Sequence, residues 1–254
     1  MGRFDGRTVL VTGGGSGIGR ATALRLAAEG ALVAVNGRRP ASVEETLGQI
    51  DRAGGRALPA VADMRDPEAV TAMVAAVHAA GGRLDGVVSN AAINPDLTWD
   101  RTSVADFDAL YETNVRGTWV VCTEAAKRMV ADGRGGAIVM VSSISAHVGA
   151  PTQTAYCGTK GAISMLGKAL GAVLGKQGVR VNVVEPGAVA TPMSAPLLAD
   201  PALLAVYEER IALGRVAAPE ELAGVIAFLL SDDASYVTSA TLLVDGGFIV
   251  NAEP

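Results

Sequence analysis

A doubly wound α/β domain, with a parallel sheet of about seven strands and helices on both faces, is predicted by three features of the sequence. Short runs rich in β-branched residues alternate with longer stretches of helical spacing, and most of those runs are apolar continuously rather than alternately. The first run leads directly into a glycine-rich turn and a helix. The alternation makes successive strands parallel with helices as crossovers, and continuous apolarity suits strands covered on both faces.

The predicted strands are 8–12, 31–36, 57–62, 86–91, 137–143, 179–185 and 240–245, and the helical segments between them are 17–29, 41–53, 66–80, 103–131, 155–177 and 219–230. Nothing in composition divides the chain, so 1–254 is expected to form one domain. The irregular stretch 186–218, with Pro186, Pro192, Pro196 and Pro201, reads as a lid or substrate loop.

Composition narrows the function classes. A chain of 254 residues that is 50% hydrophobic buries enough apolar surface, at roughly 25 cal/mol per Å², to fold without disulfides. Cys122 and Cys157 form no CxxC pair and His78 and His147 are the only histidines, so no metal site is expected. The net charge of −5 and the absence of a basic run longer than Arg38-Arg39 argue against nucleic acid. No apolar run approaches the about 18 to 20 residues of a membrane span, and the N-terminus lacks the apolar core of a signal peptide. A protein of the cytoplasm without membrane attachment is expected.

The turn TGGGSGIG, Thr12 to Gly19, sits between the first strand and its helix. Glycines there let the backbone approach a pyrophosphate at the positive helix N-terminus. Gly13, Gly17 and Gly19 fit TGxxxGxG, with Gly15, Ser16 and Ile18 between them. The second strand ends Asn36-Gly37-Arg38-Arg39, so guanidiniums stand where an NAD ribose would call for a carboxylate. They suit a 2′-phosphate, which favours NADP with NAD as the alternative, unless Asn36-Gly37 is simply a turn with solvated arginines. Asp63, closing the third strand, is placed to accept from an adenine amino group or to cap the following helix.

Tyr156 and Lys160 stand four apart at the start of a helix and so project from one face. Ser143 lies thirteen residues earlier at the end of the fifth strand. With TGGGSGIG, Asp63, the SNAA of 89 to 92, Asn114, Ser143, Tyr156 to Lys160, Asn182, Pro186-Gly187 with Thr191, and the final VDGG of 244 to 247, the chain resembles the short-chain dehydrogenase/reductase family over essentially its whole length. The resemblance implies a Rossmann-type fold and an NAD(P)-dependent oxidoreductase acting on a secondary alcohol or carbonyl. It implies that Tyr156 exchanges the proton, that Ser143 holds the substrate oxygen, that Lys160 binds the nicotinamide ribose, and that Asn114 supports a water relay to that lysine. A cation beside a phenol of pKa near 10 is what makes it usable near neutrality. Cofactor contacts are implied at Thr12, Gly13, Gly15, Ser16, Gly17, Ile18, Gly19, Arg38, Arg39, Asp63, Met64, Asn90, Ala91, Ala92, Tyr156, Lys160, Pro186, Gly187, Val189 and Thr191.

The sequence departs from the family in two places: Ala92 replaces a glycine, and Glu185 precedes Pro186-Gly187 where a neutral residue or His is expected. Around the catalytic pair, Ser145, His147 and Gln153 offer polar groups that favour a hydroxyl-rich substrate, and Met193 lies in the predicted lid. The stretches SSISAHVGAPTQTAYCGTK and LLVDGGFIVN resemble sugar 1-dehydrogenases of the L-rhamnose type, which oxidise an aldose to its lactone. ALVAVNGRRP and VRVNVVEPGAVATPM resemble 3-oxoacyl-carrier-protein reductases equally well. The helix 155–177 is apolar on two sides, one with Gly167 and Gly171, the other with Gly158, Ala162, Met165, Ala169 and Ala172. The second side needs a partner subunit, so a homodimer at least is expected, and the resemblance implies a tetramer.

Overall fold

The computed structural model describes residues 2–95 and 97–250. Asn251, at the end of LLVDGGFIVN, lies outside them. All seven predicted strands form: β1 Thr8–Val11, β2 Leu32–Gly37, β3 Arg56–Val61, β4 Gly86–Ser89, β5 Gly136–Val141, β6 Val179–Pro186 and β7 Thr241–Val244. They make one sheet in the order β3-β2-β1-β4-β5-β6-β7, every neighbouring pair parallel. β1 and β4 are buried at every position, whereas the edge strands β3 and β7 are mostly not. An edge position is also what lets β3 carry Pro59, which has no N–H for a second neighbour.

Helices α1 (Gly17–Ala28), α2 (Pro40–Arg52), α3 (Pro67–Gly81), α4 (Val104–Leu110), α5 (Gly117–Ala131), α6 (Thr154–Leu174), α7 (Ala195–Leu198), α8 (Pro201–Arg210) and α9 (Pro219–Leu230) complete the fold. One core joins α1, α2 and α9 to one face of the sheet through Leu26, Val33, Ile50, Ile226 and Leu230. The other joins α3, α5 and α6 to the opposite face through Leu10, Val74, Val121, Met129, Ile138 and Ile163. Truncating a fully buried member such as Ile226 to Ala costs about 2–5 kcal/mol.

Three local features depart from the sequence reading. The segment 103–131 is broken by a π-helical turn at Tyr111–Arg116, the kind of wide turn that accompanies functional sites. The stretch 186–218 is not irregular throughout: α8 starts where the Asp200 carboxylate accepts from the Ala202 and Leu203 N–H groups, with Pro201 at the first helical position. Finally, α3 is capped by Asp66 through the Glu68 and Ala69 N–H groups, so Asp63 has no capping role. Among the described residues, no helix is long and apolar enough to cross a membrane.

Strand order reverses between β1 and β4. Loops leaving the carboxyl ends of those strands diverge there, opening the crevice in which doubly wound sheets hold their ligands.

Candidate active site

The crevice begins with the glycine turn. Thr12 is fully buried; its Oγ1 donates to the Val88 carbonyl at 3.3 Å and accepts from the Asn90 and Ala91 N–H groups at 2.9 and 3.1 Å. The Asn90 amide donates to the Thr12 carbonyl at 3.0 Å. The end of β4 is thereby fixed to the turn without the glycine that Ala92 replaces. Gly13 has φ +64°, and a Cβ there would lie 2.8 Å from the Asn90 amide nitrogen; at Gly19 a Cβ would lie 2.2 Å from the Gly13 carbonyl oxygen. Both positions therefore demand glycine. A Cβ on Gly15 would meet Ser42, and one on Gly17 would meet Thr191, so the loop after β6 closes over the turn.

Ser16 occupies the cap position of α1 yet makes no side-chain hydrogen bond to the first turn. The helix thus presents its N-terminal N–H groups, with their share of the macrodipole, without a side-chain acceptor. A glycine cradle against an uncapped helix start fits a dinucleotide pyrophosphate. Ile18 is partly buried and packs on the core.

Arg38 and Arg39 are exposed beyond the end of β2. Asp63 accepts from Arg65, through the backbone N–H at 2.9 Å and the guanidinium at 2.8 Å. Its carboxyl is held below the usual range chiefly by that guanidinium hydrogen bond, with a smaller contribution from the charge of Arg38. Arg38 and Asp63 therefore border one region. Met64 is buried, and its carbonyl would lie 2.7 Å from a Cβ on Gly117, which fixes the β3 end against the start of α5.

Near the end of β5 and the start of α6 the predicted catalytic residues come from three elements. Lys160 is 2% exposed, donates from Nζ to the Val141 carbonyl at 3.0 Å, and lies 5.3 Å from the centroid of the Tyr156 ring. Burial holds this ammonium down to about 7. Tyr156 is also buried; burial pushes its phenol above its ordinary value, and the hydrogen bond it shares with Ser143 works in the opposite direction. Ser143 Oγ contacts Ser145 Oγ at 3.2 Å and accepts the Ser145 N–H at 3.1 Å.

Asn114, fully buried in the π-helical turn, accepts the Ile93 N–H at 2.9 Å and donates to the Ile93 carbonyl at 3.0 Å and to Thr159 Oγ1 at 3.2 Å. It ties the loop after β4 to the helix that carries Tyr156 and Lys160.

Gln153 precedes α6, and its side-chain amide makes no hydrogen bond among the described residues. Met193 is exposed on the loop after β6. In that loop, Gly187 packs on Asp245 and the Ala190 N–H donates to the Ala217 carbonyl beside a Val189–Ala217 bridge. The same stretch is anchored by Ile144, Ile211 and Phe248, with Tyr207 stacked on Phe248 at 5.6 Å. His147, whose side chain is 43% exposed, is tied to the end of β6. Its Nε2 is 2.5 Å from Glu185 Oε2, so one ring nitrogen is already engaged.

Two residues have structural partners that the sequence reading did not supply. Asn36 is no turn residue: it is buried in β2, where its amide donates to the Ala60 and Ala62 carbonyls at 2.8 and 3.2 Å. Glu185 is fully buried at the end of β6. Only its unusual identity marked it, since its partners are distant in sequence. Asn182, by contrast, is structural: its side chain binds the Val237 carbonyl and the Ala240 N–H, joining β6 to the approach to β7.

Residues 13–249 match a family model described as enoyl-(acyl carrier protein) reductase. The L-rhamnose 1-dehydrogenase (NAD(P)(+)) of Sphingomonas sp. (strain SKA58) is 41% identical over 98% of this chain and 99% of its own length. The 3beta-hydroxysteroid dehydrogenase 1 of Eggerthella lenta is 37% identical over 96% and 94%. A solved short-chain type dehydrogenase/reductase from Mycobacterium marinum superposes with a TM-score of 0.92 at 34% identity, covering 96% of each chain. The glycine turn on its uncapped helix, the Ser143, Tyr156 and Lys160 cluster and these full-length likenesses place the chain in the short-chain dehydrogenase/reductase family.

Proposed function

We propose that this protein is an NAD(P)-dependent dehydrogenase that oxidises an aldose at its anomeric carbon to the lactone. The observation that carries the reading is the buried Lys160, 5.3 Å from the centroid of the Tyr156 ring, with Ser143 opposing the rise that burial gives the phenol. Burial alone raises the phenol, so it is a proton acceptor only when a cation stands next to it. The cations available are the protonated Lys160, which in the cofactor-free protein persists only below about 7, and the positive charge of an oxidised nicotinamide, whose ribose Lys160 would also hold. Tyr156 takes the proton of the anomeric hydroxyl while Ser143 holds that oxygen. Hydride acceptance is the chemistry that a bound NAD(P)+ supplies. Asn114 keeps the loop after β4 and α6 in register and supports a water path to Lys160.

Thr12 to Gly19, Asn90 to Ala92 and the Pro186 to Thr191 loop hold the cofactor. Asp63 and Met64 border its adenine, and Arg38 with Arg39 grips a 2′-phosphate, so NADP is preferred and NAD accepted. Support for the sugar comes from Ser145, whose Oγ is 3.2 Å from Ser143 Oγ, and from the Sphingomonas relative's name, with Gln153 at the start of α6 assigned as a further sugar contact. Met193 covers the sugar from the loop after β6.

The chain acts as one domain, in the cytoplasm, as a homodimer or tetramer. Trp119, Met165 and Val173 leave an exposed apolar face on α5 and α6 that a second copy covers. A substrate screen tests the reading: aldoses, L-rhamnose first, with NADP+ or NAD+, against secondary alcohols and 3-oxoacyl thioesters with the appropriate cofactor form.

A further inference from the structure

The carboxylate of Glu185 is fully buried and contacts two elements at once. Oε2 lies 2.5 Å from His147 Nε2, on the segment that follows Ser143, and Oε1 accepts from Ser164 Oγ on α6 at 2.5 Å. Ser164 Oγ is also 2.9 Å from Ser142 Oγ, and Ser142 donates to the Lys160 carbonyl at 2.8 Å. The two hydroxyls have one hydrogen each, so with Ser142 donating to the Lys160 carbonyl and Ser164 to the carboxylate, the Ser142–Ser164 contact carries no hydrogen of its own. Tyr156, Lys160 and Ser164 lie at successive turns of α6, so Glu185 bonds to the same helix face that presents the proton-transfer pair. His147 ends the short turn Ile144–Ala146, which hydrogen-bonds back on Ser143.

We propose that Glu185 is a positioning residue that clamps the Ser143 and Ser145 turn to α6. One oxygen holds that turn through His147, the other holds the helix through Ser164, and together they set where Ser143 stands relative to Tyr156 and Lys160. A carboxylate does this where a neutral, shorter residue cannot, because only two acceptor oxygens on one rigid fork reach both elements. Misplacement of reacting groups by about 1 Å can cost on the order of a hundred-fold in rate, so a side chain that touches neither substrate nor cofactor governs kcat.

The role rests on the proposed dehydrogenase reading, and the test separates the two. In Glu185→Gln, kcat for the aldose falls at least ten-fold, KM changes less than three-fold, and the cofactor Kd stays within two-fold of wild type. His147→Ala, on a side chain that is 43% exposed, gives the same pattern and carries the comparison if Glu185→Gln does not fold. His147→Gln, which keeps a side-chain N–H donor for the carboxylate, recovers kcat to within about three-fold. Amide exchange needs no substrate: loss of the clamp speeds exchange at Ala146 and His147 and leaves β1 and β2 unchanged. Wild-type protein that oxidises no aldose refutes the substrate reading and leaves exchange to decide on the clamp. The clamp is overturned if the variants lower the melting temperature alone with kcat within two-fold, if His147→Gln is as impaired as His147→Ala, or if exchange in the turn is unaltered.

Discussion

Asn36 and Gly13 meet where β2 ends beneath the glycine turn: Asn36 Oδ1 accepts the Gly13 N–H at 3.4 Å while its Nδ2 donates to the Ala60 and Ala62 carbonyls of the neighbouring strand end. One buried amide thus ties the phosphate turn to β2 and β3. Asn36→Ala leaves those carbonyls without their donor, a loss worth about 1–3 kcal/mol. The expected outcome is a melting temperature lowered by several degrees and a weakened Kd for NAD and NADP alike, read by calorimetry and cofactor fluorescence. Unchanged cofactor affinity would contradict this anchoring.

Arg38 makes a different prediction because it borders Asp63 beyond the end of β2 and lies off the turn itself. A charge-assisted bond to the 2′-phosphate is worth roughly 1.5–3 kcal/mol. Arg38→Ala therefore weakens NADP by ten-fold or more and NAD by less than two-fold, whereas Asn36→Ala affects both. Titrating each cofactor against each variant separates the two roles, and equal losses for Arg38→Ala would remove the arginine from the 2′-phosphate site.

Lys160 gives the cofactor-free protein a pH-dependent stability. The unfolded chain keeps this ammonium protonated up to an ordinary value of 10.5, and the folded chain sheds the proton near 7. Between those values the unfolded state binds more protons, so stability rises with pH, and it is lost as pH falls through about 7. At about 1.4 kcal/mol per pH unit, the whole span is worth on the order of 5 kcal/mol. Tyr156 acts oppositely above pH 10, because the unfolded phenol ionises before the folded one. The wild-type melting temperature should climb from pH 7 to 9.5 relative to Lys160→Met; parallel curves would show that Lys160 is not a neutral buried amine in the free protein.

Much of this architecture is legible in sequence because its signals are local. Continuous apolar runs mark strands buried on both faces, and TGGGSGIG sits directly at a strand end. The π-helical turn around Asn114 is hidden inside 103–131, since six residues of altered period barely disturb a helical pattern. α8 escapes because it buries no residue and so carries no apolar stripe, although Asp200-Pro201 is a start signal. Glu185 could be noticed but not explained: His147 and Ser164 lie 38 and 21 residues away, and only the pairing of β5 with β6 and the packing of α6 on β6 bring them to it.

The account turns on Tyr156 as the proton acceptor in the oxidation of an aldose. The most direct measurement follows L-rhamnose and other aldoses with NADP+ by absorbance of the reduced cofactor and by lactone formation, for wild type and Tyr156→Phe side by side. The prediction is equimolar lactone and reduced cofactor with wild type, and a kcat lower by about 10²- to 10⁴-fold in Tyr156→Phe with cofactor still bound. Retention of more than about a tenth of the activity by Tyr156→Phe, or reduction of a 3-oxoacyl thioester by a wild-type protein that oxidises no aldose, would contradict it.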